Sequence, residues 1–463
     1  MTPSPESFVS TLGALGDAAE AAVFRASDAA FGPWTLVVLF GVGLFLSVRL
    51  RFVQVRHFGE ALRSIRRVSA SGEGALTPFQ AFMTALSASV GTGNIAGVAT
   101  AIVSGGPGAL FWIWCYGFLA TAIKFTEAVL GVRYRVVGAS HLSAGPMHYL
   151  RDGLGMRRLG WVYALIAGVA ALTTTTFAQP NSIAVVLESH FQVPTVVAGI
   201  GIAVLAWLVI IGGVESIGRA AEKLAPSMVA LYLLGGLLVI VTHADRLPDV
   251  LALVVREAFS LRAGVGSAAG IGIMMAMRYG LARGIYANEA GYGTAAVAYG
   301  TARSRRPVQQ GYAAVMEVFV VSFVTSTISA LTILLTGAWQ SGLTSTAAVA
   351  EAFNHAVPVF GGWVVAVCAF LFGYTTLLGW GYYGEQFLEY ILGPRVIKPY
   401  RWVYCGLIVV GATTHVDLVW AWGDLMNALQ ILPNLVGLVG LSGVAAALLR
   451  QEESRGVEES RSE

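Results

Sequence analysis

Ser87-Ala-Ser-Val-Gly91-Thr92-Gly93-Asn94-Ile-Ala-Gly97 sits near the middle of the apolar run Phe79–Val103. Two glycines flanking a threonine, followed by asparagine, weaken a helix by about 1 kcal/mol per glycine relative to alanine. An unwound stretch at membrane depth survives only where it lines a cavity or is buried in protein. There it turns N–H groups towards a carboxylate and carbonyls towards a hard cation such as Na⁺. The competing reading is a small-residue packing face, Gly93-xxx-Gly97. The spacing alone leaves both open.

The surroundings of this run are membrane helices. Of the 463 residues, 56% are hydrophobic and 12% charged, against about 25% charged in soluble domains. A bilayer core takes about 20 apolar residues per helix. Eleven stretches qualify: Trp34–Val48, Phe79–Val103, Ala109–Leu130, Trp161–Leu187, Thr195–Ile211, Ala225–Val241, Ala268–Leu281, Gly311–Trp339, Val357–Leu378, Trp402–Ala412 and Leu425–Leu449. The seventh and tenth are short. Uninterrupted runs such as Leu36–Leu46 lack the alternation of an outer-membrane barrel. Soluble enzymes, nucleic-acid binders and disordered chains are excluded. Cys115, Cys368 and Cys405 all lie in apolar stretches and read as small buried hydrophobes.

Most Lys and Arg residues fall in one alternating set of loops, among them Arg49–Arg67, Arg133–Arg158 and Arg303–Arg306, while the other set holds Arg25, Arg246, Arg256 and Arg262. The positive-inside rule puts the first set in the cytoplasm, hence the N-terminus outside and the C-terminus inside. Trp34, Trp161, Trp363, Trp402 and Trp420 sit where interfacial belts favour them. Residues 1–33 form an extracytoplasmic segment without signal-peptide features, residues 34–449 one transporter-like membrane domain, and residues 450–463 a charged, disordered cytoplasmic tail. Asp249–Arg262 reads as an interfacial amphipathic helix.

The seventh stretch repeats the glycine pattern, Gly264-Val-Gly266-Ser-Ala-Ala-Gly270-Ile271-Gly272. Its place matches that of the second stretch if helices two to six and seven to eleven form inverted halves. Thr375-Thr376 in the ninth stretch offers hydroxyls, though back-bonding to the preceding turn is the commoner fate of such a pair. Thr173–Thr176 with Gln179-Pro180-Asn181 is costly in one span and points inward, to a site or to interhelical bonds. Both glycine-rich centres lack Asp, Glu and His, which favours Na⁺ over a proton. Glu127, Glu317 and Asp424 read as helix-end or packing charges.

Several of these stretches together resemble the alanine or glycine:cation symporter family of the amino acid–polyamine–organocation superfamily. They are Thr84–Gly97, Gly105-Gly-Pro-Gly108 with Phe111-Trp112, Gln179–Ile183, Arg278–Gly293 with its Asn288-Glu-Ala-Gly-Tyr-Gly, and Thr376–Trp380 with Tyr382–Glu385. The resemblance implies an all-α fold of about eleven transmembrane helices. One extra N-terminal helix precedes a five-plus-five inverted repeat with broken helices. It implies Na⁺-coupled import of alanine or glycine, small neutral amino acids, by alternating access in a bacterial inner membrane. By motif, Thr92 and Gly93 meet the substrate carboxylate. Gln179, Thr376 and Trp380, with Gly270, Ile271 and Gly272, shape the pocket, and Ser87, Val90 and Thr375 hold Na⁺. Asn94 serves a second ion or braces the break. Ala287, Thr294-Ala-Ala296 and Pro180 depart from the usual pattern. A proton-coupled or uncoupled carrier of the same fold, a channel and an intramembrane enzyme are the competing classes, and the last lacks any catalytic motif.

Overall fold

The computed structural model describes residues 18, 20–30, 32–65, 72–138, 142–260, 271–358 and 360–462. The described chain is almost wholly helical, and most of its buried apolar side chains form one hydrophobic core. Among the described residues, six helices are long and apolar enough to cross a membrane, or up to eight if two bent pairs each form one span.

The first span is α1, Pro33–Arg49. The second is two helices, α2 (Pro78–Ser89) and α3 (Ala96–Gly105), bent by 57° about a short 3₁₀ turn at Thr92–Asn94. Its start is fixed by Pro78 at the first turn and a reciprocal cap between Thr77 and Gln80. Next come α4 (Ala109–Arg133), α5 (Arg157–Ala170) and α6 (Thr176–Phe191), the last two joined by a π turn at Ala171–Thr175. Pro180 lies inside α6. It cannot donate to the Thr176 carbonyl, and Gly411 of a later helix packs against that oxygen, where a Cβ would stand only 2.0 Å away.

α7 (Thr195–Ile210) and α8 (Gly213–Thr242) complete the first half. The expected amphipathic helix is α9, Leu247–Ala258, with Val250, Val254 and Ala258 buried at four-residue spacing. The second half contains α10 (Ile271–Asn288), α11 (Thr294–Gly300), α12 (Pro307–Val318), α13 (Ser326–Thr336) and α14 (Ser345–Ala356). It continues with α15 (Phe360–Leu392), α16 (Ile397–Thr413) and α17 (Val416–Gly440). Packing follows the two-half scheme: α8 lies on α15 as α17 lies on α5, and α16 lies on α6 as α7 lies on α15.

Three expectations are corrected. First, the interruption of the seventh span lies at Glu289–Gly293, between α10 and α11. Residues 261–270 fall outside the described residues, and Ile271 and Gly272 begin regular helix. Second, the end of the chain is helical: α18, Ser442–Ser462, continues after a 55° bend. Glu453 accepts from His57 Nε2 at 2.8 Å and lies 3.2 Å from Arg56, while Glu452 lies 3.6 Å from Arg306. Ion pairs to a basic loop order a segment that composition alone assigns to solvent. Third, Trp420 is half-buried, unlike the exposed Trp34, Trp161, Trp363 and Trp402; its ring lies 4.9 Å under the Arg283 guanidinium and beside Tyr286. On one face, Arg135 donates to the carbonyls of Gly300 and Ala302 and Arg303 to that of Gly74, tying three basic loops together.

Candidate functional site

At the end of α2 the helical ladder stops. The Gly91 N–H turns back to the Ser89 carbonyl, and the Thr92 N–H goes to Gln179 Oε1 at 3.2 Å. The carbonyls of Ser87 and Ala88, which those amides would have served, are released by this. Thr375 and Thr376 of α15 point at them. The Thr375 hydroxyl lies 3.2 Å from the Ser87 oxygen, and the Thr376 hydroxyl 3.0 Å from that of Ala88 and 3.3 Å from that of Ser87. Within the same shell are the carbonyls of Leu371 and Phe372. Two hydroxyls thus face the two released carbonyl oxygens at the negative end of a helix, in front of two carbonyls already paired within α15. Such an oxygen-rich cluster suits a hard monovalent cation.

Next to this cluster is a small hollow lined by Ala88, Ser89, Gly91, Gly93, Thr174, Thr175, Gln179, Tyr286, Glu289, Tyr292, Thr376, Trp380 and Asn427. Measured to the centre of a water-sized sphere it holds about 20 Å³, little more than one water needs, so any ligand enters by shifting its lining. A Cβ at Gly91 would stand 2.8 Å from Thr376 Oγ1, and one at Gly93 2.7 Å from the Tyr286 ring. Both glycines are therefore required by close approach.

The second break supplies the facing wall. Glu289, Gly291 and Gly293 all have left-handed φ, +55°, +93° and +83°. Its exposed backbone groups are met one by one. Glu127 Oε1 accepts from the N–H groups of Gly291 (2.9 Å) and Gly293 (3.1 Å). Tyr116 donates to the Ala290 carbonyl at 3.1 Å, Asn434 to that of Gly291 at 2.8 Å and Tyr163 to that of Tyr292 at 2.6 Å. Asn434 also donates to Glu127 at 2.7 Å. The Glu289 carboxylate accepts from Trp380 Nε1 at 2.6 Å and from the Thr294 hydroxyl at 2.9 Å.

The structure therefore brings Gly93, Gln179, Thr376 and Trp380 to one hollow. Ser87, Val90 and Thr375 gather at the adjoining carbonyl cluster and its break. Thr92 is behind the wall, its hydroxyl donating to Gln179 Oε1 at 2.9 Å. Asn94 braces the break: its amide donates to the Ser89 carbonyl at 2.8 Å, and its oxygen faces the hydroxyls of Thr325 and Ser326. Gly270 and the side chain of Ile271 are outside the described residues, and Gly272 does not line the hollow. The expectation that the broken centres carry no acid fails, because Glu289 stands in one. Glu127 is not a helix-end charge but the acceptor that holds the break, with no exposed surface. Sequence reading also missed Lys124, buried beside Glu317 and Ser89. Gly291 and Gly293 within Asn288–Gly293 were the available sequence signal for this break; a lone lysine in an apolar run gives none.

The chain matches the sodium:alanine symporter family over residues 17–462. It is 38% identical over 418 residues to an uncharacterized transporter of Haemophilus influenzae, covering 89% of this chain and 92% of that one. It is 37% identical to a sodium/alanine symporter of Methanococcus maripaludis, covering 90% and 93%. Among solved structures, a variant of the Eremococcus coleocola manganese transporter superposes with a TM-score of 0.54 at 16% identity, over 80% of this chain and 78% of the other; that likeness concerns the fold alone. On these matches the chain belongs to the sodium:alanine symporter family, membrane transporters of amino acids rather than enzymes.

Proposed function

We propose that this protein imports alanine or glycine together with Na⁺ by alternating access. The observation carrying the reading is the oxygen cluster of Ser87, Ala88, Thr375 and Thr376 sharing a wall with the hollow. In this reading Na⁺ takes the carbonyls of Ser87 and Val90 and the hydroxyls of Thr375 and Thr376. The substrate carboxylate meets the break at Gly93 with Gln179 beside it. The ammonium meets Glu289, and Trp380 and Tyr286 leave room only for the smallest side chains. Na⁺ holds α15 against the end of α2, so ion and substrate each raise the other's affinity by the same factor. The sorting of basic loops supports an inner-membrane placement with the N-terminus outside and the C-terminus in the cytoplasm.

In proteoliposomes, replacing external Na⁺ with choline is expected to lower alanine uptake by about 10- to 100-fold, the usual range of such coupling. Uptake that persists on a proton gradient would transfer the coupling to H⁺; Glu289, a titratable group in the hollow, is the feature favouring that second reading. Thr375 lies outside the hollow and so probes the ion. Thr375→Val is expected to raise half-saturating Na⁺ by about tenfold, the equivalent of one hydroxyl ligand. An unchanged Na⁺ dependence would remove Thr375 from the ion site.

A further inference from the structure

Beside the end of α2, away from Thr375 and Thr376, four polar side chains from four elements converge. Lys124 of α4 is 1% exposed and Glu317 of α12 0%. The ammonium donates to Glu317 Oε1 and, at 3.1 Å, to Ser89 Oγ. Ser89 Oγ also bonds to Glu317 Oε1, and Tyr299 of α11 donates to Glu317 Oε2 at 2.9 Å. Ser89 is the last residue of α2, lines the hollow, and accepts at its carbonyl from Asn94.

An apolar pair would hold α4 to α12 as well as this ion pair does, because dehydrating two charges offsets their attraction. Ionisable groups at this depth in a membrane protein are a functional signal. Without the ammonium, what remains at a helix break is a carboxylate oxygen and a serine hydroxyl, with a tyrosine hydroxyl fixing the carboxylate's other oxygen. The first two are ligands of a monovalent hard cation.

We propose that the Lys124 ammonium is a tethered cation filling an oxygen site made by Glu317 and Ser89, with Tyr299 holding the carboxylate in place, so that the carrier binds a single free Na⁺, at the Thr375–Thr376 cluster. The inference rests on the Na⁺-coupled reading above. It adds a stoichiometry, and it assigns to Lys124 the charge that a second ion would otherwise bring to the broken span.

Radiolabelled ²²Na⁺ binding to the purified full-length protein in detergent, counted per polypeptide, tests it without requiring turnover. The wild type is expected to bind a single Na⁺. Lys124→Met leaves Glu317 in need of a cation and is expected to bind a second; adding Glu317→Gln to that variant returns the count to one. The Na⁺ Hill coefficient for alanine uptake should follow the same order in every variant that transports. A wild type that binds two Na⁺ overturns the proposal while leaving Na⁺ coupling intact, and Lys124→Met holding at one overturns it too. Absence of Na⁺ binding at any concentration that supports uptake would instead remove the Na⁺-coupled reading beneath it. Should Lys124→Met fail to fold, the wild-type count alone decides.

Discussion

Glu127→Leu is expected to leave little folded transporter. Glu127 Oε1 accepts from two backbone N–H groups of the second break and from Asn434, with no water-exposed surface to replace it. Hydrogen bonds to a charged acceptor contribute about 1.5–3 kcal/mol each, and an orphaned buried donor costs about 1–3 kcal/mol. The expected loss of about 4–6 kcal/mol is a large share of a typical stability of about 5–15 kcal/mol. A melt of the detergent-solubilised protein, followed by tryptophan fluorescence and size exclusion, measures it. Glu127→Gln separates acceptor from charge: its amide oxygen can still take both N–H groups, and its nitrogen falls at Oε2, which has no partner among the described residues. Gln is therefore expected to recover much of the melting temperature. A Leu variant that melts like the wild type would show that the break needs no buried acceptor.

The second large effect is expected at Gly93. Gly93→Leu should abolish alanine uptake, below about 1% of wild type, while the protein still inserts and runs as a single species. A β-carbon there already meets the Tyr286 ring at 2.7 Å, and overpacking by several methylenes costs about 1–3 kcal/mol or more, taken up by closing the hollow. Uptake assays beside membrane yield separate the two readouts. Transport at wild-type rate would mean that the substrate path does not pass Gly93.

The two breaks differ in how far the sequence revealed them. Gly91-Thr-Gly93-Asn94 announces the first because glycines and a local hydrogen-bonding asparagine fall within one apolar run. The same glycine count pointed to Gly264–Gly272 for the second; residues 264–270 lie outside the described residues, and the interruption the structure describes is at Glu289–Gly293. There a glutamate occupies a left-handed conformation that glycine would usually take, held by Tyr116, Glu127, Tyr163 and Asn434 from three distant helices. Local composition cannot report a backbone shape stabilised by partners elsewhere in the chain. Lys124 was hidden for the same reason, and Glu317, read from sequence as a helix-end or packing charge, acquires its partner only where α4 meets α12. The ninth span was legible as hydroxyl-bearing, and the resemblance gave Thr375 to Na⁺; what the sequence could not show is that the released carbonyls of Ser87 and Ala88 come within 3.3 Å of the Thr375–Thr376 pair.

The docked C-terminal helix has a consequence for how this protein meets its bilayer. Glu453 and Glu452 already sit against His57, Arg56 and Arg306, so that rim offers anionic headgroups a weaker attraction than its arginines alone would provide. Trimming the chain before Glu452 would unmask those cations and strengthen its preference for acidic lipids.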